Sequence, residues 1–277
     1  MSIVTSSRRT LATLAGVAVI AVLAAGGCTK SSATPQIIYI TPPPGPTGTP
    51  AGGAHAATPA PAAASPTITS VLIAADAPDA RWKVTFKKPV VAGVSDAVAG
   101  AMNDAIGTQV NGYIRTFTDS GLPVPASGAG PSTLEGDYSI ALNSPTIISL
   151  RFSVLTYTSG AAHLVGMPGG ITFVVATGKN VALTDLFTDP AKAVAAIAPR
   201  AHAALSTALG TDLTWDGTAA SLDFFSTAWV FTPAGLEFSW TQGQIASMAA
   251  GRPTAVVAWS DLKSVVKPGS AAAEFTK

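Results

Sequence analysis

Residues 147–157 have the sequence IISLRFSVLTY, in which apolar and polar side chains alternate. In an extended strand Leu150, Phe152 and Val154 would share one face, while serine and arginine side chains would share the other. One buried and one solvated face are typical of antiparallel sheets, because parallel strands are usually covered on both faces. This segment therefore predicts a half-buried antiparallel strand.

Two main helices are predicted on either side of this strand. Ser95 is suited to cap the first helix, which runs to about Phe117 with apolar residues at three- and four-residue steps. The second helix is rich in alanine and is expected from Asp189–Pro190 to about Leu209. Pro199 is expected to kink or split it, because proline removes one helical hydrogen bond.

The remaining segments predict further strands, mostly in hairpin order. Residues 166–170, GMPGG, predict a flexible connection between two of them. Strands mixed with two main helices predict an α+β fold, a single globular domain in which an antiparallel sheet of hairpins packs against the helices. The other strands are expected around 82–86, 138–142, 171–176, 228–232, 236–240 and 254–259.

The first 28 residues have the pattern of an export signal. Arg8 and Arg9 form a positive n-region, and an uncharged apolar stretch follows from Leu11 to Ala25. Residues 23–28, LAAGGC, resemble the lipobox of bacterial lipoproteins, a family in which the signal peptide is cut before the cysteine and the cysteine thiol carries a lipid. The resemblance implies a signal peptide over residues 1–27 and lipid attachment at Cys28. The protein is therefore expected on the outer face of the cell membrane, with secretion as the alternative.

Residues 28–66 predict a disordered tether. They hold nine of the 21 prolines, and their one charged side chain is Lys30. A segment of this composition buries too little apolar surface to fold by itself, and its prolines favour extended backbone. The globular domain is therefore expected over residues 67–267, and residues 268–277 are expected to be a disordered tail.

The composition excludes several classes of function. Sixteen basic and fifteen acidic residues give a formal charge of +1, whereas a nucleic-acid-binding protein normally has a basic surface that pairs with phosphates. The single cysteine excludes a disulfide framework and a cysteine-rich zinc site. The three histidines do not stand at metal-ligand spacing with other ligating residues. We therefore expect no cofactor, no metal and no nucleic-acid partner.

A series of short motifs follows in order along residues 80–267. They are Asn103 and Ile106 on the first helix, Tyr157 with the Gly160–His163 loop, the turn 177–179 with LTDLF at 183–187, and the closing segments 242–251 and 260–263. In this order they resemble the extracellular domain of RsiV-type anti-sigma factors, a module also found beside peptidoglycan deacetylase domains and in small secreted actinobacterial antigens.

The resemblance implies a recognition module. RsiV-type domains bind lysozyme, so the implied ligand is an extracellular protein of that type or a cell-envelope glycan. Gly160 and His163 lie in the loop that we take as the candidate ligand loop. Only ten residues precede the apolar N-terminal stretch, too few for an anti-sigma domain, so the recognition module alone is expected.

Two other functions remain as alternatives, a weak esterase that uses His163 and a structural envelope protein without a ligand. The chain has no Gly-x-Ser-x-Gly nucleophile motif, and the sequence identifies no catalytic residue. His202 is expected to be a surface or half-buried helix residue. A serine within hydrogen-bond distance of His163 would favour the esterase, whereas an exposed aromatic cluster would favour recognition. The tryptophans that a cluster would use, Trp215, Trp229, Trp240 and Trp259, are each expected to be buried.

Overall fold

The computed structural model describes residues 65–277; Cys28, the predicted signal peptide and the predicted tether up to residue 64 lie outside them. Within this range the chain forms nine β-strands and four α-helices. The strands are β1 (Thr67–Asp76), β2 (Trp82–Ala92), β3 (Ser132–Asn143), β4 (Ile147–Tyr157), β5 (Val165–Val174), β6 (Lys179–Asn180), β7 (Trp229–Phe231), β8 (Gly235–Ser239) and β9 (Thr254–Ala258). The helices are α1 (Asp96–Thr118), α2 (Pro190–Leu209), α3 (Asp223–Ser226) and α4 (Trp259–Leu262).

Strands β1 to β6 form the first sheet, in chain order. β4 is the strand predicted at 147–157, and β3 and β5 pair with it in antiparallel directions. β2 and β3, however, pair in parallel, with Thr85 opposite Glu135. This pair departs from the expected order of hairpins because α1 lies between the two strands, and a helical crossover brings the chain back in the same direction.

α1 covers one face of the first sheet, as its apolar stripe predicts. Met102 and Ile106 are completely buried in a hydrophobic cluster with the strands. The helix follows Ser95, as predicted, but the Ser95 side chain makes no capping hydrogen bond. Asn103 instead fixes α1 to β2: its side-chain amide accepts a hydrogen bond from the N–H of Val91 at 2.8 Å and donates one to the carbonyl of Val91 at 2.9 Å. The amide thus pairs with β2 as a neighbouring backbone would.

The glycine-rich residues 166–170 lie within β5, so the prediction of a flexible connection is wrong. β5 is closely covered on both faces. A Cβ atom on Gly169 would lie 1.8 Å from the hydroxyl oxygen of Tyr113 in α1, and a Cβ on Gly170 would lie 2.0 Å from the carbonyl oxygen of Trp229 in β7. Glycine is needed here because backbone and side chains from two other elements approach the strand closely.

β7, β8 and β9 form a second, antiparallel sheet, which packs with α2 and α4 around a second hydrophobic cluster. α2 has the predicted cap, Asp189, whose side chain accepts two backbone N–H groups of the first turn. The helix is not split at Pro199. Both Pro199 and Ala195 are exposed, so water can bind the carbonyl that lacks a helical partner. None of the helices between residues 65 and 277 combines the length and apolar character that a membrane span requires. The two sheets and their helices confirm the predicted α+β class.

The end of the chain packs onto the second hydrophobic cluster, and the prediction of a disordered tail over residues 268–277 is wrong. Ala273–Thr276 forms a short 3-10 helix, and Ala272 is completely buried. The ring of Phe275 stacks on that of Trp259 with their centroids 4.9 Å apart. These aromatic contacts bury apolar surface, which opposes the conformational entropy that the segment loses on ordering.

Candidate functional site

The predicted ligand loop connects β4 to β5. Gly160 has a φ of +86°, in the left-handed region that favours glycine, and its N–H donates a hydrogen bond to the Tyr157 hydroxyl at 3.3 Å. Ser159 fastens the loop to the start of β3, because its N–H donates to the hydroxyl of Ser132 at 2.9 Å. His163 is exposed, and no hydrogen bond within residues 65–277 joins it to a serine. Tyr157 and Gly160 thus shape the loop, on which His163 is exposed.

His202 is half-buried on α2, as predicted. Its Nδ1 lies 3.4 Å from the hydroxyl oxygen of Ser206, one helical turn further on, and its ring meets that of Trp215 edge-on at 5.6 Å. The nearby Asp216 has a lowered pKa, chiefly because the Thr218 hydroxyl donates a hydrogen bond to its carboxylate at 2.7 Å. The carboxylate therefore holds its own turn together, and His202 packs that turn against α2.

The tryptophans of the second sheet and α4 belong to the core. Trp229, Trp240 and Trp259 are each less than a tenth exposed, which confirms their predicted burial. Trp240 lies among other rings, 5.9 Å from Trp215 and 6.1 Å from Phe225. Trp215 is half-buried. These four residues therefore do not form an exposed aromatic platform.

The first sheet leaves part of one face uncovered. The second sheet packs on β4 and β5 opposite α1: the backbone N–H of Phe231 donates to the Ser149 hydroxyl at 2.9 Å. On β2 and β3, six polar side chains on the same face remain exposed. They share that face because Thr85 pairs with Glu135 and side chains alternate along each strand. We name this surface the open face: Lys83, Thr85, Lys87, Glu135, Asp137 and Ser139.

Two arginines form a rim where the open face meets the second sheet. Arg151 on β4 makes a bidentate ion pair with Glu237 on β8, with N–O distances of 2.5 and 2.6 Å, and also donates to the Ser139 hydroxyl at 3.0 Å. Arg252, just before β9, donates to the hydroxyl of Ser153 on β4 at 2.8 Å. Charge-assisted bonds of this kind are strong and geometrically specific. The rim is therefore held in place by contacts within the protein.

A hollow of about 440 Å³ lies on the open face. Leu72 of β1, which is 68% exposed, and Leu155 of β4 add apolar surface at its sides. Lys87 Nζ and Asp137 Oδ1 lie 4.0 Å apart, and both side chains are more than half exposed, so their attraction is weak and both are accessible to a ligand. The hollow is lined by Leu72, Thr85, Lys87, Glu135, Gly136, Asp137, Ser153 and Leu155.

Two other hollows on the described part of the chain have a different lining. A groove along α2 is lined mainly by small apolar side chains. A hollow beside the chain end contains the exposed ion pair of Lys179 with Asp185 and also Lys267. In the part of the chain that the structure describes, no three His, Cys, Asp or Glu side chains are grouped to hold a metal ion. We take the open face as the candidate site because it combines charged side chains of both signs with a fixed polar rim.

The open face was not evident from the sequence. The alternation in β3, with Glu135 and Asp137 two residues apart, does indicate one solvated face. The sequence does not show that β3 lies beside β2 in parallel, nor which strands the second sheet covers. Register and coverage depend on contacts between residues far apart in the chain.

The motifs that carry the resemblance have structural roles. Leu183, Leu186 and Phe187 are buried in the second hydrophobic cluster. Gly178, in the turn before them, has a φ of +70°. The side chain of Gln242 accepts a hydrogen bond from the backbone of β5 at 3.1 Å. The motifs therefore specify the fold, and the open face lies outside them.

Known proteins share this fold. A crystal structure of a DUF3298 family member from Bacteroides fragilis has a TM-score of 0.53 at 12% identity, covering 78% of this chain and 99% of that chain. A DUF3298 family protein from Pseudomonas aeruginosa PAO1 has a TM-score of 0.56 at 16% identity, covering 74% of this chain and 96% of that chain. At such identities the likeness shows the fold alone, and no curated protein matches the sequence. Residues 184–260, which include α2 and the whole second sheet, match the family model described as "Protein of unknown function (DUF3298)", so the chain carries a DUF3298 domain over those residues.

Proposed function

We propose that this chain is a cell-surface recognition module whose open face binds an extracellular protein of lysozyme type or a cell-envelope glycan without altering it chemically. The hollow on the open face, with charged groups of both signs beside a fixed arginine rim, carries this proposal. The ligand class rests on the resemblance of the motifs to RsiV-type domains. The cellular location rests on the lipobox-like residues 23–28, with a lipid on Cys28 as the anchor.

The chemistry of the open face suits a polar ligand. Lys83 and Lys87 supply hydrogen-bond donors, and Glu135 and Asp137 supply acceptors, all exposed on neighbouring strands. A glycan or a polar protein surface offers complementary groups at several points. Because these side chains stand on a sheet and not on a loop, their backbone loses little freedom on binding.

Isothermal titration of the full chain in detergent, with lysozyme and with soluble peptidoglycan fragments, tests this function. Lys87→Ala and Asp137→Ala remove opposite charges from the open face. Lys192→Ala and Asp104→Ala remove the same residue types from the exposed surfaces of α2 and α1 and serve as matched controls. We expect one of the two ligands to bind the parent and both controls, and to bind each open-face variant at least about tenfold more weakly.

Three results would contradict the proposal. Equal affinity in all variants would place the ligand away from the open face. No binding of either ligand would contradict the ligand class. Hydrolysis of p-nitrophenyl esters by the parent that is lost in His163→Ala would show an esterase in place of a non-catalytic module.

Cell fractionation tests the anchor. Cys28→Ser removes the thiol that would carry the lipid, so we expect this variant to move from the membrane fraction to the soluble fraction. Lys30→Ala, two residues further on, should stay with the membrane. A Cys28→Ser protein that remains with the membrane as fully as the parent would contradict lipid anchoring at this residue.

A further inference from the structure

Strand β1 is an unprotected edge of the first sheet. Within residues 65–277 it pairs with β2 alone, so its outer edge has no neighbouring strand. It is ten residues long, with the sequence TITSVLIAAD, and its pairing with β2 runs in unbroken register. Val71 is 48% exposed and Leu72 is 68% exposed. Among the described residues, the outward backbone groups of β1 therefore have no strand partner, and eight of its ten residues are exposed.

Proteins usually protect such an edge. Common devices are a very short strand, a lysine or proline on the edge, or a bulge that twists it away. The opposite edge of this sheet is protected in this way, because β6 is only two residues long. β1 has no lysine, no proline and no bulge, and its one charged residue is the terminal Asp76. An edge of this kind is a template for pairing with another strand.

We propose that two copies of this chain pair through β1 in antiparallel directions, so that their first sheets join into one continuous sheet. A two-fold axis normal to the sheet keeps every side chain on its own face. With the axis at Leu72, each Leu72 lies opposite its own copy, Ser70 lies opposite Ala74, and Ile68 lies opposite Asp76.

A second copy fits this edge better than a charged partner does. In the antiparallel pair no like charges stand opposite each other, and the two exposed Leu72 side chains cover each other. A single strand pair is a small interface, so we expect a dimer that dissociates on dilution. The pair also places the two open faces on the same side of the joined sheet; this consequence for ligand binding rests on the proposed function.

Sedimentation of the full chain in detergent over a range of concentrations tests the pairing. Leu72→Lys would place two lysines opposite each other on the axis, and like charges in directly opposite positions destabilise a strand pair. Val124→Lys is the matched control, because Val124 is 64% exposed and lies outside β1. We expect the parent and Val124→Lys to pass from monomer to dimer as concentration rises, and Leu72→Lys to remain monomeric with an unchanged circular dichroism spectrum.

Disulfide cross-linking tests the alignment of the two strands. Leu72→Cys should give a covalent dimer on mild oxidation, because opposite residues on paired strands lie within disulfide distance, whereas Val124→Cys should not. A parent that stays monomeric at every concentration would overturn the proposal. A dimer that persists undiminished in Leu72→Lys would overturn it as well, because the contact would then lie elsewhere.

Discussion

Arg151 and Glu237 connect the two sheets through a single bidentate ion pair. Glu237 is only 8% exposed, so removing the arginine would leave a buried carboxylate without a cation. The Arg151 side chain is a third exposed, which places the loss at the lower end of the range for buried pairs. We expect Arg151→Ala to lower the free energy of unfolding by about 3 kcal/mol, measured by urea denaturation.

A double variant distinguishes the cost of an unpaired charge from the contribution of the ion pair itself. Arg151→Met combined with Glu237→Leu leaves no unpaired charge, so its loss of stability should be smaller than that of Arg151→Ala. An equal or larger loss in the double variant would contradict the view that an unpaired buried carboxylate causes the loss in Arg151→Ala.

Tyr113 makes stability depend on pH in the alkaline range. Burial raises the pKa of its hydroxyl group above the ordinary value of 10.0, although the hydroxyl accepts a hydrogen bond from Gln109 Nε2 at 2.9 Å. Between the unfolded and folded pKa values the unfolded state binds fewer protons, so stability falls as pH rises. We expect the free energy of unfolding to decrease above about pH 10, and to decrease less steeply in Tyr113→Phe. Urea denaturation at a series of pH values measures both slopes, and identical slopes would contradict this account.

Among the secondary-structure elements, β5 depends most directly on glycine. In Gly170→Ala the new methyl group would meet the carbonyl oxygen of Trp229, so β5 and β7 would have to separate. We expect a loss of about 2 kcal/mol in the free energy of unfolding. Gly107→Ala in α1 is the matched control: its Cβ meets nothing within 4 Å, and alanine favours a helix, so this variant should gain about 0.5–1 kcal/mol. Equal effects of the two changes on thermal denaturation would contradict the close packing of β5.

Elements with a regular pattern of their own could be predicted from sequence. β4, α1 and α2 appear where the alternation, the apolar stripe and the Asp189 cap place them. The second half of β5 lies within the strand expected at 171–176, but its glycine-rich first half could not be predicted, because the reason for those glycines lies in Tyr113 and Trp229, which belong to other elements. The parallel pairing of β2 with β3 likewise depends on the crossover through α1 and not on either strand alone.

On the scale of the whole molecule, the last ten residues close the second hydrophobic cluster. Phe275 contacts the rings of Trp259 and Phe231, with centroids 4.9 and 5.4 Å away. Phe275 is half-buried, so we expect Phe275→Ala to lower the free energy of unfolding by about 2 kcal/mol, less than for a fully buried phenylalanine. Lys277→Ala, at the exposed end of the same segment, should leave it unchanged. A Phe275→Ala protein as stable as the parent in urea would mean that the packing of Phe275 does not stabilise the folded state.

The open face results from the way the second sheet packs on the first, and the sequence motifs do not lie on it. The Gly160–His163 loop was the site that the sequence indicated, and the structure shows His163 exposed on it. The open face arises because the second sheet covers β4, β5 and the end of β3, where Leu142 packs against the second cluster, and leaves the six polar side chains of β2 and β3 exposed. This coverage depends on contacts between segments that are distant in the chain, so a local pattern of residues does not predict it.

Carboxylate labelling shows whether a ligand binds at the open face, because it reports on the individual side chains of that surface. The full chain is treated with a carbodiimide and an amine, with and without lysozyme or peptidoglycan fragments, and the modified residues are quantified by mass spectrometry. We expect the ligand that binds to reduce labelling of Glu135 and Asp137 while labelling of Asp104, which is exposed on α1, stays the same. Bound ligand that leaves the labelling of Glu135 and Asp137 unchanged would contradict recognition at the open face.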